Sequence, residues 1–157
     1  MKKMMIAVVA LMLGAVAAQA RDVVTLGLYI KGDGAAEQLE KLPKGVSLGK
    51  PKKTKAGWMA FSYHVNLGVT QSAELQFKIV KGGTGFFSLY AFNFEKGKKR
   101  TSIPVKCKIM EINGEPVDGV PRTIKKWSKM ATRELKDGDV VTVKVEFEKQ
   151  EQSDTEK

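Results

Sequence analysis

Apolar and polar residues alternate with a period of two through most of the chain after residue 20. The pattern recurs in five segments, which are residues 24–30, 59–67, 73–79, 103–109 and 141–147. Successive side chains of a β-strand point to opposite faces, so the alternation predicts strands with one buried face and one hydrated face. Antiparallel sheets are built from such strands, and the sequence therefore predicts an all-β protein.

The segment 86–94 is apolar at both odd and even positions, which predicts a central strand covered on both sides. Turn signals separate the predicted strands at residues 32–34, 82–85, 96–100, 113–114 and 137–138. About seven strands divided by such turns are typical of an antiparallel, immunoglobulin-like sandwich.

Two segments depart from the alternation and predict helical structure. Residues 35–42, which end before Pro43, are compatible with a short helix. After Val120 the apolar positions recur every three to four residues, at Ile124, Trp127, Met130 or Ala131, and Leu135. This spacing favours one short helix with Pro121 in its first turn and Trp127 in the core. The alternative is a loop followed by an irregular strand.

The first twenty residues have the organisation of a secretory signal peptide. Lys2 and Lys3 precede an apolar run over residues 4–18, and Ala18-Gln19-Ala20 is a small-x-small cleavage site. We therefore expect an exported protein, located in the periplasm, on the cell surface or outside the cell. The expected organisation is a signal peptide over 1–20, one β-sandwich domain over 21–148 and a polar tail over 149–157, with no membrane span in the mature form.

Basic residues exceed acidic ones, with 27 Lys and Arg against 17 Asp and Glu. Removal of Lys2 and Lys3 with the signal peptide leaves 25 − 17 = +8 on the mature chain. This charge predicts a protein or glycan partner of acidic character, or else a solvated surface that discourages aggregation. Nucleic acid is not expected, because the basic clusters lack interleaved aromatic residues. The candidate partner-binding residues are Lys52, Lys53, Lys55, Trp58, Lys98, Lys99 and Arg100.

The sequence offers little for catalysis, and we expect neither an enzyme nor a cofactor or metal. His64 is the only histidine and Cys107 the only cysteine. Their positions predict a surface histidine and a core cysteine, because Cys107 falls among Ile103, Val105 and Ile109. Asp137 and Asp139 flank Gly138, an arrangement that is more typical of a turn than of a calcium site.

Two resemblances suggest specific functions. The segments IMEINGEPV (109–117) and LKDGDVVTVKV (135–145) resemble the second half of a bacterial PDZ domain. That resemblance implies a peptide-binding groove, although the Gly-Leu-x-x-Gly-Asp stretch of that family is missing before the Ile-Asn-Gly turn. The signal peptide, the strands and the motif LxxGDxVxV (135–143) together resemble exported immunoglobulin-like proteins of mucus-dwelling gut bacteria, which implies association with type IV pili.

The sequence accordingly predicts a non-enzymatic, exported interaction domain associated with a type IV pilus or adhesion system. The alternatives are a carbohydrate-binding module with Trp58 as a stacking platform and a PDZ-like peptide-binding domain.

Overall fold

The structure, a computed structural model, describes residues 20–150 of the chain. Within this part the residues form thirteen β-strands and no helix. The strands are β1 (Arg21–Lys31), β2 (Ala35–Gln38), β3 (Val46–Leu48), β4 (Lys52–Lys53), β5 (Trp58–Asn66), β6 (Ser72–Lys81), β7 (Gly83–Phe94), β8 (Thr101–Ser102), β9 (Val105–Ile112), β10 (Glu115–Pro116), β11 (Arg122–Ile124), β12 (Ser128–Leu135) and β13 (Val140–Lys149).

The seven strands of eight or more residues divide into two antiparallel sheets. The larger sheet has the order β12–β7–β1–β5, extended by β3, β4 and β8. The smaller sheet has the order β9–β13–β6, extended by β2, β10 and β11. The prediction of an all-β protein with antiparallel sheets is confirmed. As predicted, residues 86–94 lie in a central strand, because β7 pairs with β1 on one side and with β12 and β8 on the other.

The two sheets enclose one hydrophobic core, and the alternation seen in the sequence determines which residues enter it. In β1 the inward set is Val24, Leu26, Leu28 and Ile30, all buried. Tyr63 of β5 stacks on Phe77 of β6 with the ring centroids 5.9 Å apart, which joins the sheets. Burial raises the pKa of Tyr63 to about 12, so its phenol stays neutral. Burial of this apolar surface is the main force that holds the sheets together.

The predicted helices are wrong within the described residues. Residues 35–38 form β2, which pairs with β6 at the edge of the smaller sheet. Residues 122–124 and 128–135 form β11 and β12, so the alternative of a loop and an irregular strand describes this region. The apolar residues are spaced like those of a helix for two reasons. Ile124 belongs to β11 rather than to β12, and the register of β12 shifts between Lys129 and Ala131, which interrupts the period of two.

Two further expectations are corrected by these irregularities. Trp127 lies in the turn before β12 and is 45% exposed rather than part of the core. The pairing of β9 with β13 shifts at Glu146 and Phe147, so Cys107 and Met110 are buried while Ile109 is only half-buried. A bulge moves the residues after it to the opposite face, which a strict period of two does not anticipate.

The two ends of the chain lie largely beyond the described part. The predicted signal peptide falls outside it except for Ala20, and so do residues 151–157 of the predicted tail. Strand β13 continues through Lys149, whose Nζ lies 2.5 Å from Asp22 Oδ2. None of the described residues forms a helix that is long and apolar enough to cross a membrane.

Candidate functional site

The larger sheet has an outer face, turned away from the smaller sheet, that carries many aromatic side chains. This outer face is formed by the odd-numbered residues of β1 and the even-numbered residues of β5 and β7. The strand register places Tyr29 beside Phe86 and Val23 beside Phe92. Solvated faces of antiparallel sheets are usually polar, so an aromatic outer face is the unusual feature of this fold.

Four aromatic residues meet at one end of the outer face and are called the aromatic cluster: Tyr29, Trp58, Phe86 and Trp127. Tyr29 stacks on Phe86 with ring centroids 4.6 Å apart. Trp58 contacts Phe86 edge-on at 5.0 Å, and Trp127 contacts Phe86 edge-on at 6.0 Å. Phe86 is thus buried beneath its neighbours, whereas Trp127 remains open to solvent. Aromatic pairs at these separations hold each other in fixed orientations.

Lysine side chains lie over the rings of the aromatic cluster. Lys129 Nζ is 4.8 Å from the centroid of Phe86, and Lys31 Nζ is 5.9 Å from that of Trp58. Both distances lie within the range of cation–π attraction. The cluster therefore combines flat apolar surface with positive charge.

Small residues next to the aromatic cluster allow its rings to lie flat on the sheet. Gly27 pairs with Ser88, and a Cβ atom at Gly27 would lie 2.9 Å from Cε1 of Tyr29 and 2.6 Å from Oγ of Ser88. The Tyr29 ring thus occupies the space that a side chain at position 27 would take. Glycine in a strand interior often marks such a close approach.

A second feature, called the arginine pocket, lies at the opposite end of the outer face. It encloses about 410 Å³. Arg21 and Arg100 flank it, and their guanidinium carbons lie 5.0 and 5.9 Å from the centroid of the same ring, Phe94. Arg100 also lies 4.4 Å from the centroid of Phe92, which forms the floor with Val23. Stacking on aromatic faces orients a guanidinium while leaving its N–H donors free.

His64 contributes a polar wall to the arginine pocket. Its Nδ1 atom lies 2.9 Å from the hydroxyl oxygen of Thr25. Burial lowers the pKa of His64 below 6.5, and the positive charge of Arg100 lowers it further. His64 is therefore neutral at pH 7. The effect of Arg100 also indicates a positive electrostatic potential within the pocket.

The structure separates the candidate binding residues into two groups. Lys52, Lys53 and Lys55 lie near Trp58 at one end of the larger sheet, because β4 pairs with the start of β5. Lys98, Lys99 and Arg100 lie at the other end, beside the start of β1. The two ends of β1 are ten residues apart, which corresponds to roughly 33 Å. The basic turns therefore do not form one patch.

Some of these lysines have acidic partners. Lys53 Nζ lies 2.6 Å from Asp33 Oδ1, and this contact holds the pKa of Asp33 below its usual value. Lys98 Nζ lies 3.4 Å from Glu95 Oε2. Such exposed pairs contribute little to stability, but they reduce the positive charge that these lysines can offer a partner.

The remaining reactive side chains are not arranged around a shared centre. Cys107 is buried in the core, where burial raises its pKa to about 12, and it belongs to the sheet opposite His64. Asp137 Oδ1 accepts the backbone N–H of Gly82, and Asp139 Oδ2 accepts that of Lys136. Across residues 20–150 no three His, Cys, Asp or Glu side chains are grouped so that they could hold a metal ion.

Comparison with known proteins returned no match: no family model, no curated protein and no solved structure matches this chain. The residues of the outer face are therefore the features from which a function can be inferred.

Sequence reasoning identified Trp58 and Arg100 but missed Arg21, Tyr29, Phe86 and Trp127. A usable signal was present in the first three, because Arg21 and Tyr29 alternate with the buried set of β1, and Phe86 begins the predicted two-sided strand. Trp127 was not identifiable as an outer-face residue, since its position depends on the turn before β12.

Proposed function

We propose that this chain is an exported interaction domain that binds a glycan through the aromatic cluster on its outer face. It acts in an adhesion system, of which a type IV pilus is the first candidate. The observation that carries the proposal is the aromatic cluster, in which an exposed Trp127 in the turn before β12 contacts Tyr29 and Phe86 of the sheet edge-on.

The exposed surface of the aromatic cluster is chemically suited to a sugar ring. One face of a sugar ring consists of C–H groups, and it packs on an aromatic ring while the hydroxyl groups remain solvated or hydrogen-bonded. Contacts with Tyr29 and Phe86 already restrict the Trp127 ring, so it loses less conformational freedom on binding than an isolated side chain would. Lys31 and Lys129 add charge that favours glycans bearing acidic groups.

The immunoglobulin-like classification belongs to this proposal. An immunoglobulin constant domain divides seven strands into four and three, and the seven long strands here have the same division. The first strand of an immunoglobulin domain lies at a sheet edge, whereas β1 lies inside its sheet. The likeness is therefore one of architecture rather than of strand order. Residues 122–124 and 128–135 form β11 and β12 instead of a helix that could line a peptide-binding groove, which argues against the PDZ-like alternative.

The test uses the full-length chain expressed in a bacterial host, with the exported protein purified from the envelope and applied to a glycan array. We expect binding that is lost in Trp127→Ala and weakened in Trp58→Ala. Leu39→Ala is the matched control, since Leu39 is 44% exposed but lies next to β2 of the smaller sheet. An array without hits, or equal losses in Trp127→Ala and Leu39→Ala, would contradict the proposal.

Two measurements examine the cellular part of the proposal. Intact mass of the purified protein should correspond to cleavage between Ala20 and Arg21, and an uncleaved chain in the cytoplasm would contradict export. Cross-linking in the native envelope should recover pilus or adhesin subunits with the unsubstituted protein, and failure to recover any would argue against a role in an adhesion system.

A further inference from the structure

The arginine pocket presents two cations that have no acidic partner in the described part of the chain. Arg21 and Arg100 approach the same Phe94 ring, and neither lies within 4 Å of a carboxylate oxygen among residues 20–150. Two positive charges that line one pocket repel each other, and an anion bound between them would offset that repulsion. The arrangement is thus complementary to a negative group that no residue among 20–150 supplies.

Two acidic residues close to the arginines in the sequence, Asp22 and Glu95, already have other partners. Asp22 Oδ2 lies 2.5 Å from Lys149, and its Oδ1 accepts the side-chain amide of Asn93 at 2.8 Å. Glu95 pairs with Lys98. The ten residues that line the pocket include no carboxylate. The positive charge of the pocket is therefore available to a ligand.

The rest of the lining indicates what else the ligand carries. Val23 and Phe92 make an apolar floor, whereas His64, Asn66 and Ser47 provide hydrogen-bonding groups on one wall. A simple inorganic anion would use the arginines but not the floor. A volume of about 410 Å³ lies in the range of small-molecule sites, which is roughly 300–1,000 Å³. The ligand that fits is a small ring with hydroxyl groups, an apolar face and one negative group.

We propose that the arginine pocket binds the carboxylate of an acidic sugar, with the guanidinium groups of Arg21 and Arg100 on the carboxylate and the sugar ring against the polar wall that includes His64. This inference rests on the proposed function in so far as the acidic sugar is a residue of the bound glycan. Guanidinium groups recognise carboxylates through paired N–H donors, so both arginines contribute directional hydrogen bonds as well as charge.

The structure also provides an internal reporter for this site. His64 is the only histidine, so its ring resonances are assigned without ambiguity in a protein purified without a histidine tag. Arg100 contributes to the lowered pKa of His64. A carboxylate bound to Arg100 offsets that charge, and we expect it to raise the pKa of His64.

The experiment titrates the purified exported protein with sodium glucuronate and sodium N-acetylneuraminate, using calorimetry and the His64 resonances. Glucose, sodium acetate and sodium sulfate serve as reference ligands. We expect a sugar acid to bind at least 10-fold more tightly than any of the three references, with affinity that falls as the salt concentration rises. Arg100→Gln and Arg21→Gln should each lose 10-fold or more, and Arg100→Lys should lose less than Arg100→Gln.

Two control variants distinguish binding in the arginine pocket from an effect of net charge and from binding at the aromatic cluster. Arg122→Gln removes an exposed arginine of the smaller sheet and should leave affinity unchanged. The Trp127→Ala variant should no longer bind the glycan array, yet it should still bind the acidic monosaccharide. If the protein binds the acidic monosaccharide but the glycan array shows no hits, the arginine pocket is supported as a binding site and the proposed function is refuted.

Other outcomes would refute the proposal that the arginine pocket binds an acidic sugar. Acetate or sulfate binding as tightly as the sugar acids would show an anion site without sugar selectivity. Equal losses for Arg122→Gln and Arg100→Gln would show an effect of net charge alone. If Arg100→Gln does not fold, as judged by circular dichroism, Arg100→Lys and Arg21→Gln provide the comparison, and unchanged affinity in both would refute the proposal.

Discussion

Replacement of Gly27 by alanine tests whether the aromatic cluster depends on close packing at the centre of the outer face. The new Cβ would lie 2.6 Å from Ser88 Oγ and 2.9 Å from Tyr29 Cε1, closer than van der Waals contact allows. Ser88 is itself buried, so its hydroxyl has little room to turn away. The Tyr29 ring is held against Phe86 at 4.6 Å and must tilt to make space.

The expected change in the free energy of unfolding follows from two opposing effects. Insertion of a methyl group into a packed site costs about 1–3 kcal/mol. Alanine also restricts the unfolded chain, which stabilises the protein by about 0.4–1 kcal/mol. We therefore expect Gly27→Ala to lower the free energy of unfolding by about 1–2 kcal/mol. With a urea dependence of about 2 kcal/mol per molar, the midpoint of unfolding should fall by about 0.5–1 M.

Urea titration followed by tryptophan fluorescence measures this change. The matched control is Gly49→Ala beside β5, whose Cβ would lie 3.4 Å from His64 Nε2 in ordinary contact. There the effect on the unfolded chain dominates, and stability should rise by about 0.4–1 kcal/mol. Ser88→Ala combined with Gly27→Ala should recover part of the loss, because it removes the shortest contact. An unchanged midpoint for Gly27→Ala, or no recovery in the double variant, would refute the reasoning.

Three further predictions concern the core, the turn between β6 and β7, and the arginine pocket. Cys107 should not react with a thiol reagent in the folded protein and should react on unfolding in urea, because it is buried and its pKa is raised to about 12; prompt reaction in native buffer would contradict this. Gly82→Ala should destabilise the protein by about 3 kcal/mol or more in urea, since its Cβ would overlap the carbonyl oxygen of Leu135. The lowered pKa of His64 means that the unfolded chain takes up a proton below pH 6.5 that the folded chain resists, so stability should fall as the pH drops through that value. His64→Gln should flatten this part of the pH profile of the melting temperature, and Arg100→Gln should raise the pKa of His64 in an NMR titration.

Strand positions and the inner faces of the long strands were predictable from the alternation alone. Leu26 and Leu28 are buried because they share a face with Val24 and Ile30, and this relation holds for any regular strand. The predictions were wrong where the strand is irregular. In β12 the register shift after Lys129 disturbs the period of two, so the pattern around Ala131 resembled that of a helix.

The candidate site was only partly predictable, because it depends on which strands become neighbours. Trp58 and Phe86 are 28 positions apart in the sequence and belong to strands on either side of β1. Arg21 and Arg100 likewise approach the same Phe94 ring only because β1 pairs with β7, which places Arg21 opposite Phe94. The basic turns look equivalent in the sequence but lie at opposite ends of one sheet. Whether they form a single binding surface could therefore not be judged from composition.

The sequence by itself determined that this chain forms strands and which side chains those strands bury, since the period of two is a local property of an extended backbone. Tertiary structure alone decided that aromatic residues of three strands and one turn gather on the outer face. It also decided that two arginines share one ring without an acidic partner in the described part of the chain. Both outcomes depend on strand order and register, which are set by packing between segments far apart in the chain.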